Sequence, residues 1–241
     1  MEIMEVNLPN SKKKVEVVIQ RKKMKSCRLK AYPTQELVFA GPLSVPKEWI
    51  EQFLNDKAVW IEKKLEIFSQ TTGYASTTEI HNGQSIKMLG EDIIIGVTRS
   101  NKEAVIHEGK TIHICCLDVN DQIRLIALFE KWWRREALRF IETRVDALYP
   151  IIRKYGKSRP KVRLRKMKTL WGSCSVKKTV VTFNQYLFKA SPAYIDYVIL
   201  HELIHFLYPN HSKQFYDFLS IYMPDWKERK KVLDMEVVHG L

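Results

Sequence analysis

Hydrophobic and polar positions along the chain follow two different periods. At the N-terminus and again in residues 84–116, β-branched and other apolar residues alternate with polar ones and are interrupted by glycine and proline, which predicts strands. Residues 44–68 and 120–149 instead repeat apolar positions at helical spacing. Each of these ranges predicts one helix, and the second helix is expected to end at Pro150.

The last third of the chain continues the pattern with shorter elements. Residues 161–167 and 179–188 predict two strands joined by a linker. Residues 191–209 predict a helix, with Ser191 suited to the N-cap and Pro192 to the first helical position. This helix is apolar on nearly every side, so we expect it to be buried.

These elements predict an α+β fold in two parts. Residues 1–118 would form a strand-rich N-terminal region with one helix. Residues 119–241 would form a second domain, which begins with the long helix as a bridge between the two parts. The polar, threonine-rich stretch at 69–80 predicts a loop.

Composition restricts the class of protein. Apolar residues make up 45% of the chain and charged residues 28%, which is typical of a folded, soluble protein. No apolar run reaches the roughly 18 residues of a membrane span, and the N-terminus does not have the pattern of an export signal. We therefore expect a cytoplasmic protein with no membrane segment. The four cysteines form no CxxC pair, and we expect them to be reduced thiols.

Charge is concentrated in the C-terminal part. The net charge is +13, and residues 151–241 hold 17 Lys and Arg against 7 Asp and Glu. The densest stretch, residues 153–168, has nine basic residues and no acidic one. It is either a solvated basic face or a site for phosphate, nucleic acid or an acidic peptide.

The segment HELIH in the last predicted helix carries the candidate chemistry. On a helix, His201 and His205 share one face, and Glu202 is turned by about 100° from His201. This is the HExxH arrangement of metalloproteases, with two zinc ligands and a glutamate that acts as general base on a metal-bound water. Because a catalytic zinc has three protein ligands, we expect His211, just beyond the turn at Pro209, to be the third.

The alternative is a buried helix whose histidines only make hydrogen bonds. The third histidine at short spacing, and the cost of unpaired polar groups in an apolar helix, favour the metal site. We therefore predict one Zn²⁺ ion per chain, with another divalent metal as the alternative.

Several motifs around this segment resemble those of the YgjP-like metallopeptidase domain family. They are LWGSCS at 170–175, FNQYL at 183–187, YVILHELIH at 197–205, NHSKQFY at 210–216 and MPDW at 223–226. The resemblance is strong over about residues 125–235 and looser over the first 70. It implies a minimal zincin-type core in which a small sheet packs on the HExxH helix, with the three histidines as ligands and Glu202 as the base.

The resemblance also suggests residues along the substrate cleft. The WGSCS segment and the strand with Asn184 would line it, which makes Trp171, Ser173 and Asn184 candidates for substrate binding. The family commonly has arginine where this chain has Leu170. Arg165 or Lys168 would then take over contact with an anionic group, or the substrate differs. A nucleophilic role for Cys174 is weighed against that of a small buried residue, which is favoured.

The motif specifies an activated water but not what that water attacks. We favour a zinc-dependent hydrolase of metallopeptidase type acting on a peptide or protein. Proteins that resemble this family have also been linked with nucleoside triphosphate pyrophosphatase activity, particularly on UTP, so a metal-dependent UTP pyrophosphatase is the second hypothesis. The third is a nucleic-acid-associated, SprT-like protease or scaffold that uses the basic stretch at 153–168. Oligomeric state is not predicted.

Overall fold

The chain folds into two compact units. The computed structural model describes residues 2–32, 35–69, 79–167 and 170–238. Its contacts divide the chain into Met1–Tyr74 and Ala75–Glu236, and each unit has its own cluster of buried apolar side chains. Most of the loop predicted at 69–80 lies outside the described residues.

The first unit consists of a four-stranded sheet and two helices. Its elements are β1 (Glu2–Asn7), β2 (Lys14–Lys22), β3 (Arg28–Ala31), β4 (Leu37–Pro42), α1 (Lys47–Asp56) and α2 (Ala58–Ser69). The strand order is β1-β2-β4-β3, with a parallel β2–β4 pair between two antiparallel pairs. The strands predicted at the N-terminus are therefore confirmed.

The single helix predicted at 44–68 is wrong, because the chain turns at Lys57. The Lys57 N–H donates to the carbonyls of Phe53 and Leu54, which ends α1, and α2 begins at the next residue. Leu54 and Ile61, on either side of the turn, are both fully buried in the core of this unit. The apolar period continues through the turn, so periodicity alone did not reveal it.

The second unit begins with another four-stranded sheet. Its strands are β5 (Ser85–Met88), β6 (Glu91–Arg99), β7 (Ala104–Glu108) and β8 (Thr111–Cys116), as predicted for 84–116. The order β5-β6-β8-β7 again places a parallel pair between two antiparallel pairs. The two sheets thus share one strand order and one set of pairing directions.

A long helix and a three-stranded sheet complete the frame of the second unit. The elements are α3 (Gln122–Leu148), α4 (Pro150–Arg153), β9 (Lys161–Arg165), β10 (Gly172–Ser175), β11 (Val180–Asn184), α5 (Pro192–Ile204), α6 (Lys213–Tyr222) and α7 (Trp226–Val238). The sheet has the order β10-β11-β9, with β10 antiparallel and β9 parallel to β11. The segment that was predicted to be a linker therefore contains a strand, β10, whose Gly and Ser residues have low strand propensity.

The division between the units differs from the boundary predicted at 118–119. Buried side chains of the β5–β8 sheet, such as Ile95 and Ile114, belong to the same apolar cluster as Leu125 and Ile141 of α3. The second sheet therefore shares the core of the C-terminal elements. Sequence periodicity identified its strands but could not indicate which helix they would pack against.

Helix α5 lies at the centre of the second unit. Eight of its residues are buried, and Ile199, Leu203 and Ile204 are completely excluded from solvent. An ion pair ties it to α3: Arg144 Nε donates to Asp196 Oδ1 at 2.7 Å and Nη2 donates to Oδ2 at 2.5 Å. Among the described helices, α5 included, none is both long and apolar enough for a membrane span.

We expect the Arg144–Asp196 pair to stabilise the second unit measurably. Both of its hydrogen bonds are charge-assisted and Asp196 is largely shielded, so a double-mutant cycle with Arg144→Met and Asp196→Asn should give a coupling energy of about 1 kcal/mol. Chemical unfolding of the four proteins measures it.

The more exposed pair Arg159–Asp146 is the matched control for this cycle. Solvent screening should reduce its coupling energy to less than about 0.5 kcal/mol. Equal coupling energies in the two cycles would contradict the importance assigned to shielding.

Candidate metal centre

The histidines of HELIH lie at the C-terminal end of α5. Ser191 is the N-cap and Pro192 the first helical residue, as predicted, although the Ser191 side chain makes no capping hydrogen bond. The helix ends at Ile204, and His205 keeps helical dihedral angles as the residue that follows. His201 and His205 are therefore one turn apart on the same side of the helix.

His211 returns to these two histidines after a short turn. The chain passes through Pro209 and then starts α6, where Ser212 Oγ accepts a hydrogen bond from the N–H of Phe215 as N-cap. One ring nitrogen from each of His201, His205 and His211 lies within 4.8 Å of the other two. The predicted trio is thus brought together by the helix end and the turn.

Hydrogen bonding sets the proton position on one ring. His205 Nδ1 is 3.2 Å from the carbonyl oxygen of Tyr208. Because a carbonyl can only accept, Nδ1 carries the proton and Nε2 keeps its lone pair. In His201, Nδ1 is buried without a hydrogen-bond partner in the described part of the chain, and packing against Phe215 orients the ring.

Burial favours the neutral form of both helix histidines. It lowers the pKa of His201 to about 3, and repulsion from the protonated forms of His205 and His211, and from Lys230, adds to this effect in that order. Burial also lowers the pKa of His205. Neutral imidazole is the form that binds a metal.

The three nitrogen donors fit a small divalent ion. His201 Nε2 and His211 Nε2 are 2.8 Å apart, somewhat closer than the roughly 3.3 Å between two nitrogen ligands of a tetrahedral zinc ion. His211 is exposed on its turn and can adjust by that difference. A set of three imidazoles is also a ligand set that catalytic zinc uses in proteins.

Glu202, the helix residue that follows His201, is buried. Only 6% of its surface is exposed, and burial raises the pKa of its carboxyl group to about 8. The carboxylate lies directly against Gly172 at the start of β10, where an added Cβ would be 2.8 Å from both Cγ and Oε1 of Glu202. Only glycine leaves room for the carboxylate at this point of the strand.

Comparison with known proteins identifies the family of the chain. The sequence profile of the YgjP-like metallopeptidase domain matches residues 25–236. The chain belongs to the YgjP-like metallopeptidase family. It is therefore a metal-dependent hydrolase with a catalytic metal ion. A search of curated proteins found no match.

Two solved structures are similar to part of this YgjP-like chain. The metallopeptidase zymogen abylysin of Pyrococcus abyssi is 21% identical, with a TM-score of 0.37, and the match covers 40% of this chain and 93% of that one. The metallopeptidase zymogen jannalysin of Methanocaldococcus jannaschii is 24% identical, with a TM-score of 0.35 and coverages of 40% and 96%.

Two YgjP-like motifs support the exposed histidine through aromatic stacking. The ring of His211 stacks on Tyr216 of α6 at 6.0 Å, and Tyr216 stacks on Trp226 at 4.9 Å. Trp226 Nε1 donates to Ser220 Oγ at 2.9 Å, which fixes the indole. Sequence reasoning gave Tyr216 and Trp226 no role, although their presence in the motifs NHSKQFY and MPDW was the available signal.

The predicted substrate-binding residues do not form one group. Gly172 and Cys174 face α5, so Ser173, between them in β10, projects from the opposite face of the sheet. Arg165 lies at the end of β9, two strands away from β10, and is exposed. Lys168 lies outside the described residues.

Trp171 and Asn184 lie nearer to the start of β10. Trp171 is half-buried, and its indole Nε1 is buried without a partner in the described residues. The N–H of Asn184 donates to the Trp171 carbonyl at 2.8 Å. The side chain of Asn184 is buried and bonded within the chain.

Cys174 has the properties of a half-buried structural thiol. It lies on the face of β10 that packs on α5, and burial, followed by the charge of Glu202, raises the pKa of its thiol to about 12. A nucleophilic cysteine instead needs a thiol pKa near or below neutrality. Its position against α5 and the raised pKa of its thiol therefore favour a packing role over catalysis for this residue.

We expect Cys174 to resist alkylation by iodoacetamide at mildly alkaline pH. Only the thiolate reacts, and a pKa near 12 leaves on the order of a thousandfold less thiolate than an ordinary cysteine has. Mass spectrometry of native protein measures the rate, and protein unfolded in urea is the control. Native and unfolded rates of similar size would show that Cys174 is an accessible, ionisable thiol.

Proposed function

We propose that this protein is a zinc-dependent peptidase in which Glu202 is the general base. The observation that carries the proposal is the convergence of three imidazoles on α5 and the following turn, with a buried carboxylate on the helix residue that follows His201. His201, His205 and His211 would hold the ion, and membership of a metallopeptidase family supports a peptide or protein as the substrate.

The metal ion and Glu202 would have different roles in the reaction. When bound, the metal ion lowers the pKa of a coordinated water to about 7 and polarises the carbonyl oxygen of the scissile bond. Glu202 accepts the proton of the attacking water and later donates it to the leaving amine nitrogen. Burial raises the pKa of the Glu202 carboxyl group, so its ionised form is a stronger proton acceptor, and the positive charge of a bound metal ion would favour that ionised form.

Two arginines of the basic stretch at 153–168 project away from Glu202, and these two do not support a nucleotide substrate. A pyrophosphatase needs several cations around the scissile phosphates. In β9, Leu164 is buried and packs inward, so Arg163 and Arg165 project from the opposite face of the sheet and not towards Glu202. Both arginines are exposed and suit a solvated face or a recruitment surface for polyanions.

We expect two substitutions to separate metal binding from turnover. Glu202→Gln should keep one zinc ion per chain and lose about 10²- to 10⁴-fold in kcat, because the base is removed and the ligands remain. His205→Ala should lose both the metal and the activity. Elemental analysis and peptide hydrolysis measure the two effects, and Glu228→Gln on the exposed side of α7 controls for the change in charge. A fully active Glu202→Gln enzyme would exclude the mechanism.

We also expect the purified protein, with its zinc content measured, to cleave an unstructured protein. The Glu202→Gln variant should not cleave it. Casein is a suitable substrate, and nucleoside triphosphates, UTP included, are assayed in parallel with detection of phosphate and pyrophosphate. Release of pyrophosphate that is lost in Glu202→Gln, without proteolysis, would replace the peptidase proposal with the pyrophosphatase.

A further inference from the structure

Asn184 is a buried amide whose hydrogen-bonding capacity is used up within the chain. Its side chain is 3% exposed. Nδ2 donates to the carbonyls of Met167 at 2.9 Å and Leu170 at 3.0 Å, and Oδ1 accepts from the N–H groups of Met167 at 3.3 Å and Tyr186 at 3.2 Å. An amide has two donor hydrogens and two acceptor lone pairs, so none is left for a substrate.

These bonds fix the chain immediately before the point where it meets Glu202. Met167 and Leu170 are held by the side chain, and the carbonyl of Trp171 is held by the backbone N–H of Asn184 at 2.8 Å. The next residue, Gly172, lies against the Glu202 carboxylate so closely that even a methyl group would overlap with it. A small shift of this segment would therefore change the space that the carboxylate occupies.

We propose that Asn184 is a positioning residue for Glu202, which acts through the backbone of residues 170–172. It does not contact the carboxylate itself. It holds the start of β10 at the distance from α5 that leaves the carboxylate one orientation. The proposal rests on the proposed function, because it takes Glu202 to be the general base. It replaces the substrate-binding role that the sequence suggested for Asn184.

Asn184→Ala is the first test, and Gln122→Ala is its matched control. Gln122 is also an amide that anchors backbone of the second unit, since Oε1 accepts from the Ile80 N–H at 2.8 Å and Nε2 donates to the Ile80 carbonyl at 3.1 Å. Asn184→Ala should lower kcat by about 10- to 100-fold and change KM by less than about threefold, with zinc content unchanged. Gln122→Ala should leave kcat unchanged.

Asn184→Asp is the second variant, in case the alanine protein does not fold. It keeps the size of the side chain and both acceptor contacts but loses the two donations to the Met167 and Leu170 carbonyls. We expect a loss of kcat in the same direction. A wild-type kcat in either Asn184 variant, a raised KM at unchanged kcat, a loss of zinc, or an equal loss of kcat in Gln122→Ala would overturn the proposal.

Alkylation of Cys174 tests the positioning independently of any substrate. If Asn184 holds β10 against α5, Asn184→Ala should increase the alkylation rate of Cys174 at least about tenfold over wild type and Gln122→Ala. An unchanged rate would overturn the proposal. Should Glu202→Gln prove fully active, the proposed function fails, and the alkylation rate still reports whether Asn184 holds the strand.

Discussion

The burial of Glu202, on a helix that also carries two half-buried histidines, is the constraint on which the second unit depends. A carboxylate loses its hydration on burial, at a cost of several kcal/mol unless polar partners replace the water. Here the hydrophobic free energy of burying apolar side chains of the same helix, such as Ile199 and Leu203, offsets this cost. In return, charges near Glu202 act in a medium of lower effective dielectric constant, where electrostatic interactions are stronger.

Three neighbouring segments hold the polar side chains of this site in place. On one side the glycine at the start of β10 lets a strand approach the carboxylate, which a side chain would prevent. At the helix end, the carbonyl of Tyr208 accepts a hydrogen bond from Nδ1 of His205, so Nε2 of that ring keeps its lone pair for a metal ion. Beyond the turn, stacking of Tyr216 and Trp226 supports the exposed His211. These neighbours restrict the position of the Glu202 carboxylate, the proton of His205 and the ring of His211.

The two four-stranded sheets show how one topological plan can serve different cores. Both have the same strand order and pairing, and both lead into a helix. The first sheet packs with α1 and α2 into a core of its own. The second shares the core of α5. The N–H groups of Leu89 and Gly90 in its first turn donate to the carbonyls of Phe188 and Lys189, and Gly90 lies against Ser191 at the start of α5.

The sequence by itself determined the α+β class, most of the strands, the start of α5 and the histidines that converge. It could do so because period, capping residues and the spacing of HELIH act over a few neighbouring residues. Only the tertiary structure decided the turn at Lys57, the pairing of β10, the core that the second sheet joins and the hydrogen bonds of Asn184. These depend on contacts between residues distant in sequence, and a period-2 or period-3.6 pattern does not specify which distant surface will cover it.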